Sequence, residues 1–600
     1  MNYYFRYLKV NLELFTRKLI VFLRNRVEFK TFVILSSIVV GITSGLAAVL
    51  LKNMVHFIHY ESPKFFNQNG ISFLLPLTPL IGILLSLSII RLLFRGKFTV
   101  GLSNIIYRII RKSSAIPKED MFSHLLTSGV TVGFGGSAGL EAPIVATGAA
   151  IGSNTAKGLN FNYQIRTLLL ACGSAAGISA IFNSPIAGVI FAFEVLLPQF
   201  SITSFIPLLI ASASSAVLSK FLYSGQLFYL VTKGWQIEAI PYYILLGIIS
   251  GFVSLYIIKI TSTTAKYLER FSNKLIKALY CGIILSALIF FIPPLYGEGY
   301  SSVINLLSGN YENLLHNSFL LNLFDSNTAI ILLALLIVFA KVIATSLTLN
   351  SGGNGGIFAP SLFTGAFLGF FLANLLKYLG LADLNHPNFI VVGMAGVMSG
   401  VLHAPLTGIF LIAEVTGGYI LIVPLMIVSA LSFFISRYFH PYSIYTDALA
   451  KKGIDFRSEK EKFLIQQISL NELIETDFIK ISPNTTIGIL TKKITRTKRN
   501  IFPVVDENEK LLGVITLDDV REIILNSEVY NILLAYEIMN PNYPRIEADT
   551  GISKLIDIFE TQHIWNVAVT QNGKYLGFIS KSSLLNKYIS KISENEKENL

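Results

Sequence analysis

The sequence predicts an all-α polytopic membrane domain, built on a repeated set of broken transmembrane helices, followed by a soluble α/β part. Three observations carry that prediction. The 600 residues have a mean hydropathy of +0.61 with 14% charged side chains, the composition of a chain threaded repeatedly through lipid. Charge is divided unevenly: the first 450 residues hold 28 Lys and Arg against 15 Asp and Glu, a net +13, whereas the last 150 hold 20 against 21, a net −1. Two short motifs also recur in the same order at nearly one offset, as an internal duplication requires. The overall +12 therefore belongs to the membrane part, where Lys and Arg face the cytoplasm and anionic lipid, and it argues against nucleic-acid binding.

Residues 1–30 carry Arg6, Lys9, Arg17, Lys18, Arg24, Arg26 and Lys30 among apolar side chains, which predicts a basic amphipathic helix on the cytoplasmic face. The apolar run Phe32 to Leu51 is long enough to span and is closed by no small-residue cleavage site, so it predicts a first transmembrane helix rather than a secretory signal. Further spanning runs are Phe73 to Phe94, Phe205 to Leu222, Tyr242 to Ile260, Leu275 to Pro293, Thr328 to Leu347 and Ile420 to Ile435. The intervening stretches 121–197 and 351–417, rich in Gly, Ala, Ser and Pro, are too broken for plain spanning helices and too apolar for loops. Such backbone survives in hydrocarbon only where protein buries it or it lines a cavity, which predicts short interrupted helices around a site.

The repeat lies inside those stretches. GLEAPIVATGAAIG at 139–152 and GIFAPSLFTGAFLG at 356–369 agree at seven of fourteen positions, including Gly139/Gly356, Pro143/Pro360, Gly148/Gly365 and Gly152/Gly369. PIAGVIFAFEV from Pro185 and PLTGIFLIAEV from Pro405 follow, with Glu194 and Glu414 each nine residues after the proline. The offsets are 217 and 220. Residue identities leave open whether the halves are parallel or inverted.

In each repeat a Gly-rich turn precedes a proline near a helix start, so unpaired backbone N–H groups cluster at 139–142 and 356–359. A helix N-terminus offers donors and about half a positive charge; two converging in low dielectric would bind a small anion without a buried cation that holds it too tightly. Glu141 stands in one turn where the repeat has Phe358. Its carboxylate would compete with an anion for these donors and swing away when protonated; the other reading is a static acid satisfying its own turn. Glu194 and Glu414, at matching places, suggest a shared packing or helix-end role. Lys341 is expected to be paired or snorkelling, His403 to be core, and Cys172 and Cys281 to be small buried residues. No nucleophile–base set or metal constellation indicates an enzyme, and 15 acids in the membrane part are too few for a hard-cation transporter. A membrane-anchored sensor would not need two broken-helix pairs.

These residues resemble the CLC family of chloride channels and chloride/proton exchangers, voltage-gated chloride channels included. GLEAP at 139–143 is similar to that family's G-x-E-x-P motif, and GNGGIFAP at 353–360 to its G-x-F-x-P motif, over roughly residues 30–450. The resemblance implies an inverted repeat, a multi-pass homodimer with one pathway per subunit, Glu141 as gate, and an anion held near Gly139, Leu140, Glu141, Gly356, Ile357 and Phe358. Three positions depart from the pattern. The family's G-S-G-I-P loop falls at 99–103, so Val100 beside Gly101 replaces the serine that faces the ion, and nitrate or fluoride stands as an alternative to chloride. The internal proton glutamate of family exchangers is Val195, as in family channels. The pore tyrosine is Tyr442 or Tyr445, with Tyr442 preferred.

The soluble part resembles a tandem CBS pair. FPVVDENEKLLGVITLDDV at 502–520 and WNVAVTQNGKYLGFISKSSLL at 565–585 each read strand, turn, strand, helix. The family's adenine-nucleotide element, for ATP or AMP, matches Gly513, Thr516 and Asp519; the second copy has Ser583 in place of the acid. The alternative is a dimerisation and stability module only. The expected organisation is an amphipathic segment 1–30, a transmembrane domain 31–450, a linker 451–468, CBS copies 469–527 and 528–592, and a tail 593–600. No cofactor is required by the transport part. With many Lys, Ile and Asn residues, the expected location is a bacterial cytoplasmic membrane with the CBS pair in the cytoplasm.

Overall fold

The first apolar run folds into a helix about twice its own length. The computed structural model describes residues 27–597 except 69, 71, 95–100, 198–201, 224–233, 312–323, 453, 455–468, 522, 524–528, 551 and 563, so most of the expected amphipathic segment and linker lie outside the described residues. Contacts divide the chain into two units, Met1–Phe456 and Arg457–Leu600.

The first unit is helical. In chain order it contains α1 (Phe29–Gln68), α2 (Thr78–Leu92), α3 (Leu102–Arg111), α4 (Asp120–Gly133), α5 (Glu141–Gly158), α6 (Tyr163–Phe182), α7 (Pro185–Phe191), α8 (Ile202–Leu222), α9 (Ile240–Leu268), α10 (Lys274–Phe291), α11 (Tyr300–Leu307), α12 (Ser326–Asn350), α13 (Phe358–Tyr378), α14 (His386–Leu402), α15 (Pro405–Val415), α16 (Ile422–Phe439) and α17 (Asp447–Ala450). Nine helices among the described residues are long and apolar enough to cross a membrane. Two of these, α6 and α13, lie in stretches whose composition suggested only short pieces. Their Gly and Ala do not interrupt them because neighbouring backbone packs directly into the gaps: a Cβ on Gly173 would strike the Gly148 carbonyl, and one on Gly365 the Gly393 carbonyl.

The duplication extends well beyond the two motifs. Helices α1 to α8 recur as α9 to α16, and their packing recurs with them: α5 on α6 as α13 on α14, α1 on α8 as α9 on α16, α6 on α8 as α14 on α16. Capping recurs too. Asn162 accepts the Ile165 N–H at 3.0 Å and Asn385 the Asn388 N–H at 3.1 Å, each satisfying an otherwise unbonded amide of α6 or α14. Asn183 and His403 then end those helices with φ of 55° and 56°, left-handed stops just before Pro185 and Pro405. His403 is thus a half-buried turn residue and not core.

In the second unit, β1 (Ile501–Val505) pairs antiparallel with β2 (Leu511–Thr516). A separate sheet orders β3 (Arg545–Glu547), β4 (Asn566–Gln571) and β5 (Lys574–Ser580), with β3 parallel and β5 antiparallel to β4. Ile481 forms a parallel bridge to Val504 just as Ile546 pairs with Val569, so both copies share one pattern. Their buried strand residues, including Phe502, Val504, Ile515, Val567, Val569 and Ile579, form near-continuous buried runs, as in strands covered on both faces.

Candidate anion site at paired helix ends

The two repeats meet at their Gly-rich turns. Gly139 N–H donates to the Gly356 carbonyl at 2.9 Å and Gly356 N–H to the Gly139 carbonyl at 2.8 Å, a reciprocal antiparallel pair between equivalent residues. Such self-complementary pairing is what a two-fold rotation between halves produces. A Cβ on Gly139 would meet Ala359 and one on Gly356 would meet Ala142, so only glycine lets the ends of α5 and α13 come this close. Leu140, Glu141, Ile357 and Phe358 are thereby gathered with Gly139 and Gly356 in one buried cluster.

Glu141 is 1% exposed at the start of α5. Its Oε2 accepts the Ala359 N–H at 3.4 Å from the facing end of α13, and its Oε1 accepts the Tyr300 hydroxyl at 2.8 Å. The Ile357 and Phe358 amides, ahead of the first intrahelical bond of α13, find no acceptor among the described residues. Phe358, the pseudo-equivalent of Glu141, packs instead against Phe182 and Phe191 at ring separations of 5.5 and 6.2 Å.

A cavity of about 220 Å³ adjoins this point, lined by Lys52, His56, His59, Leu140, Tyr296, Glu298 and Tyr300 among others. Glu298 accepts the Leu140 N–H at 3.3 Å. Lys341 is fully buried and donates to the Leu295 and Gly297 carbonyls at 3.2 and 2.8 Å, with its Nζ 4.6 Å from the Phe363 ring centroid. The lysine is therefore paired, through backbone carbonyls. Lys52 donates to the Ala180 carbonyl at 2.8 Å. The one signal for Glu298 and Tyr300 in the sequence is an acid between glycines, four residues after Pro294 in an apolar region.

The remaining expected positions divide. Val100 lies outside the described residues, while Gly101 caps α3 with φ of 98°, a conformation that favours glycine. Helix α3 packs against both α5 and α17. Tyr442 is half-buried and its carbonyl contacts His440 Nδ1 at 2.8 Å. Tyr445 is the more buried of the two: it is 7% exposed, and its hydroxyl has no hydrogen-bond partner among the described residues. The one-residue uncertainty of spacing thus hid which side chain turns inward. Val195 is buried among apolar neighbours in a π turn, Ala192–Leu196, that extends α7.

Glu194 and Glu414 hold helix ends. Glu194 accepts the Leu406 and Thr407 N–H groups at 3.0 and 2.8 Å, and Glu414 those of Ile186 and Ala187 at 3.1 and 2.9 Å. Each half caps the other's helix after the proline, a second reciprocal contact. In the soluble unit, Asp519 accepts both the amide and hydroxyl of Thr516 at 2.7 Å, and Ser580 and Ser583 exchange comparable bonds in the second copy. Gly513 abuts Met539 and Asn540.

The family described as voltage gated chloride channel matches residues 81–437, and the CBS domain matches 470–526 and 535–590. The chain is 28% identical over 564 residues to the chloride channel protein CLC-e of Arabidopsis thaliana, covering 82% of this chain and 76% of the relative. It is 29% identical over 422 residues to the H(+)/Cl(-) exchange transporter ClcA of Vibrio vulnificus (strain YJ016), covering 65% and 83%. Among solved structures its fold resembles a slow cyanobacterial Cl-/H+ antiporter (TM-score 0.62, 20% identity, 71% of this chain and 98% of that one). It also resembles a CLC-type fluoride/proton antiporter (TM-score 0.57, 24% identity, 70% and 98%) and a eukaryotic CLC transporter (TM-score 0.61, 17% identity, 93% and 99%). A match across more than half its length, on a helix repeat that meets at GLEAP and GIFAP, places this chain in the voltage-gated chloride channel family, the CLC family, with a pair of CBS domains after the membrane part.

Proposed function

We propose that this protein carries chloride across a cell membrane between the facing ends of α5 and α13, with Glu141 as the gating carboxylate. One observation carries the reading: the Glu141 carboxylate sits on the Ala359 amide, where an anion passing between the helix ends would sit. A carboxylate there mimics and excludes the anion; protonation removes its charge and frees the donor. The Ile357 and Phe358 amides supply further donors, and we assign the pore hydroxyl to Tyr445 in place of Tyr442, because a buried hydroxyl without a partner among the described residues suits an anion. Gly101 belongs to the same pathway through α3.

Exchange and passive flow are two modes of one pathway. The relatives named as exchangers favour coupling to protons, and the apolar surroundings of Val195 favour passive flow. The test is chloride and proton movement in proteoliposomes with the voltage set by potassium and valinomycin. Uphill proton movement driven by chloride identifies an exchanger, chloride flux alone a channel. A series with fluoride and nitrate then ranks anions for a site that has Val100 where the family has serine. Glu141→Gln is expected to raise flux at neutral and alkaline pH above that of wild type, and to remove any proton coupling. Unchanged flux with an unchanged pH response would sink the gate assignment. Adenine-nucleotide binding at Gly513, Thr516 and Asp519, assembly as a homodimer, and cytoplasmic CBS domains that regulate the membrane part complete the proposal, supported by the family's motifs.

A further inference from the structure

We propose that Glu298 is a second gating carboxylate, which holds the Leu140 amide against an incoming anion as Glu141 holds that of Ala359. The assignment rests on the reading that an anion passes between these helix ends. Both ends are closed by acids from elsewhere in the chain: Leu140 N–H of α5 donates to Glu298 Oε1 at 3.3 Å, and Ala359 N–H of α13 donates to Glu141 Oε2 at 3.4 Å. One short segment reaches both, because Tyr300, two residues after Glu298, donates to Glu141 Oε1 at 2.8 Å. Gly297 and Gly299, with φ of 58° and 87°, give the segment the left-handed turns that present both side chains.

A plain counter-ion role fits less well. The charged and titratable groups facing Glu298 are Glu141 from α5, Lys341 from α12, Lys52, His56 and His59 from α1, and Tyr296 and Tyr300 on its own segment. Lys341 spends its protons on the Leu295 and Gly297 carbonyls, and no ion pair within 4 Å joins it to Glu298. Glu298 instead turns to the amide and lines the cavity of about 220 Å³, together with Leu140 and Tyr300, whereas Glu141 is not among the lining residues. When an anion takes the Leu140 amide, Glu298 must leave or be protonated, and the two lysines then balance the anion's charge. Opening therefore involves two acids in sequence.

The experiment uses the full-length protein: chloride flux in proteoliposomes from acid to alkaline pH, and calorimetric chloride binding in detergent, for wild type, Glu298→Gln, Glu298→Asp, Glu141→Gln and the double Gln variant, each first checked for monodispersity. Glu298→Gln is expected to bind chloride about tenfold more tightly, a change of about 1.4 kcal/mol. Glu141→Gln is expected to keep a residual pH dependence that the double variant loses. Glu298→Asp preserves charge but shortens reach; a gate changes with it, whereas a counter-ion does not, and it serves as the test if the Gln variant misfolds. Wild-type affinity and pH profile in both Glu298 variants, or a pH-independent Glu141→Gln protein, would overturn the assignment alone. Absence of anion flux from wild type overturns the transport reading and this assignment together.

Discussion

Glu141 and Phe358 occupy the same place in two copies of one motif, and that single difference makes the site asymmetric. Both helix ends offer amides, but one side brings a removable charge and the other an aromatic ring fixed against Phe182 and Phe191. The Tyr300 hydroxyl steadies the charged side at 2.8 Å. A hydrogen bond to a charged group contributes about 1.5–3 kcal/mol, so Tyr300→Phe is expected to loosen the gate and raise flux at neutral pH about tenfold or more. Flux assays that find no increase, with Glu141→Gln still effective, would leave Tyr300 as packing only. Glu141 was legible in the sequence because an acid in an apolar Gly-rich turn contradicts its surroundings. Tyr300 and Glu298 were not, since they reach the site across separations of 159 and 158 residues that only folding closes.

At the scale of elements, the prolines that start α7 and α15 leave amides that neither helix can satisfy, and the glutamates of the opposite half take them. Removing such a cap costs about 1–2 kcal/mol. Glu194→Ala and Glu414→Ala are each expected to lower the thermal unfolding midpoint in detergent by similar amounts, since the two contacts are copies. An effect confined to one of them would show that the halves have diverged in what holds them. From their matching positions the sequence suggested a shared packing or helix-end role for both acids, and the contacts show the helix-end one. It could not show that each serves the other half, because the repeat relation lists equivalent residues and not partners.

Across the whole molecule, charge separates a lipid-facing part from a water-facing one, and the contacts divide the chain at 456/457, near the composition change at 450. In the water-facing unit Thr516 and Asp519 satisfy each other, a capping arrangement that also presents a hydroxyl and a carboxylate at the surface. If an adenine nucleotide binds there, Asp519→Ala is expected to weaken ATP binding to the full-length protein about tenfold or more by calorimetry. Undiminished binding would move the nucleotide site elsewhere.

By itself the sequence determined the membrane class, the duplication and the acid at its centre. Hydropathy, charge balance and a seven-in-fourteen repeat are properties of the chain read in order, and burial does not alter them. Tertiary structure decided the rest. Tyr445 rather than Tyr442 turns inward because a turn's geometry, not residue spacing, sets which side chain is buried. One helix in each Gly-rich stretch, α6 and α13, reaches spanning length because close backbone packing fills what looked like gaps. And Glu298 joined the site because the N-terminus of α5 needed an acceptor that its own neighbourhood in the chain could not supply.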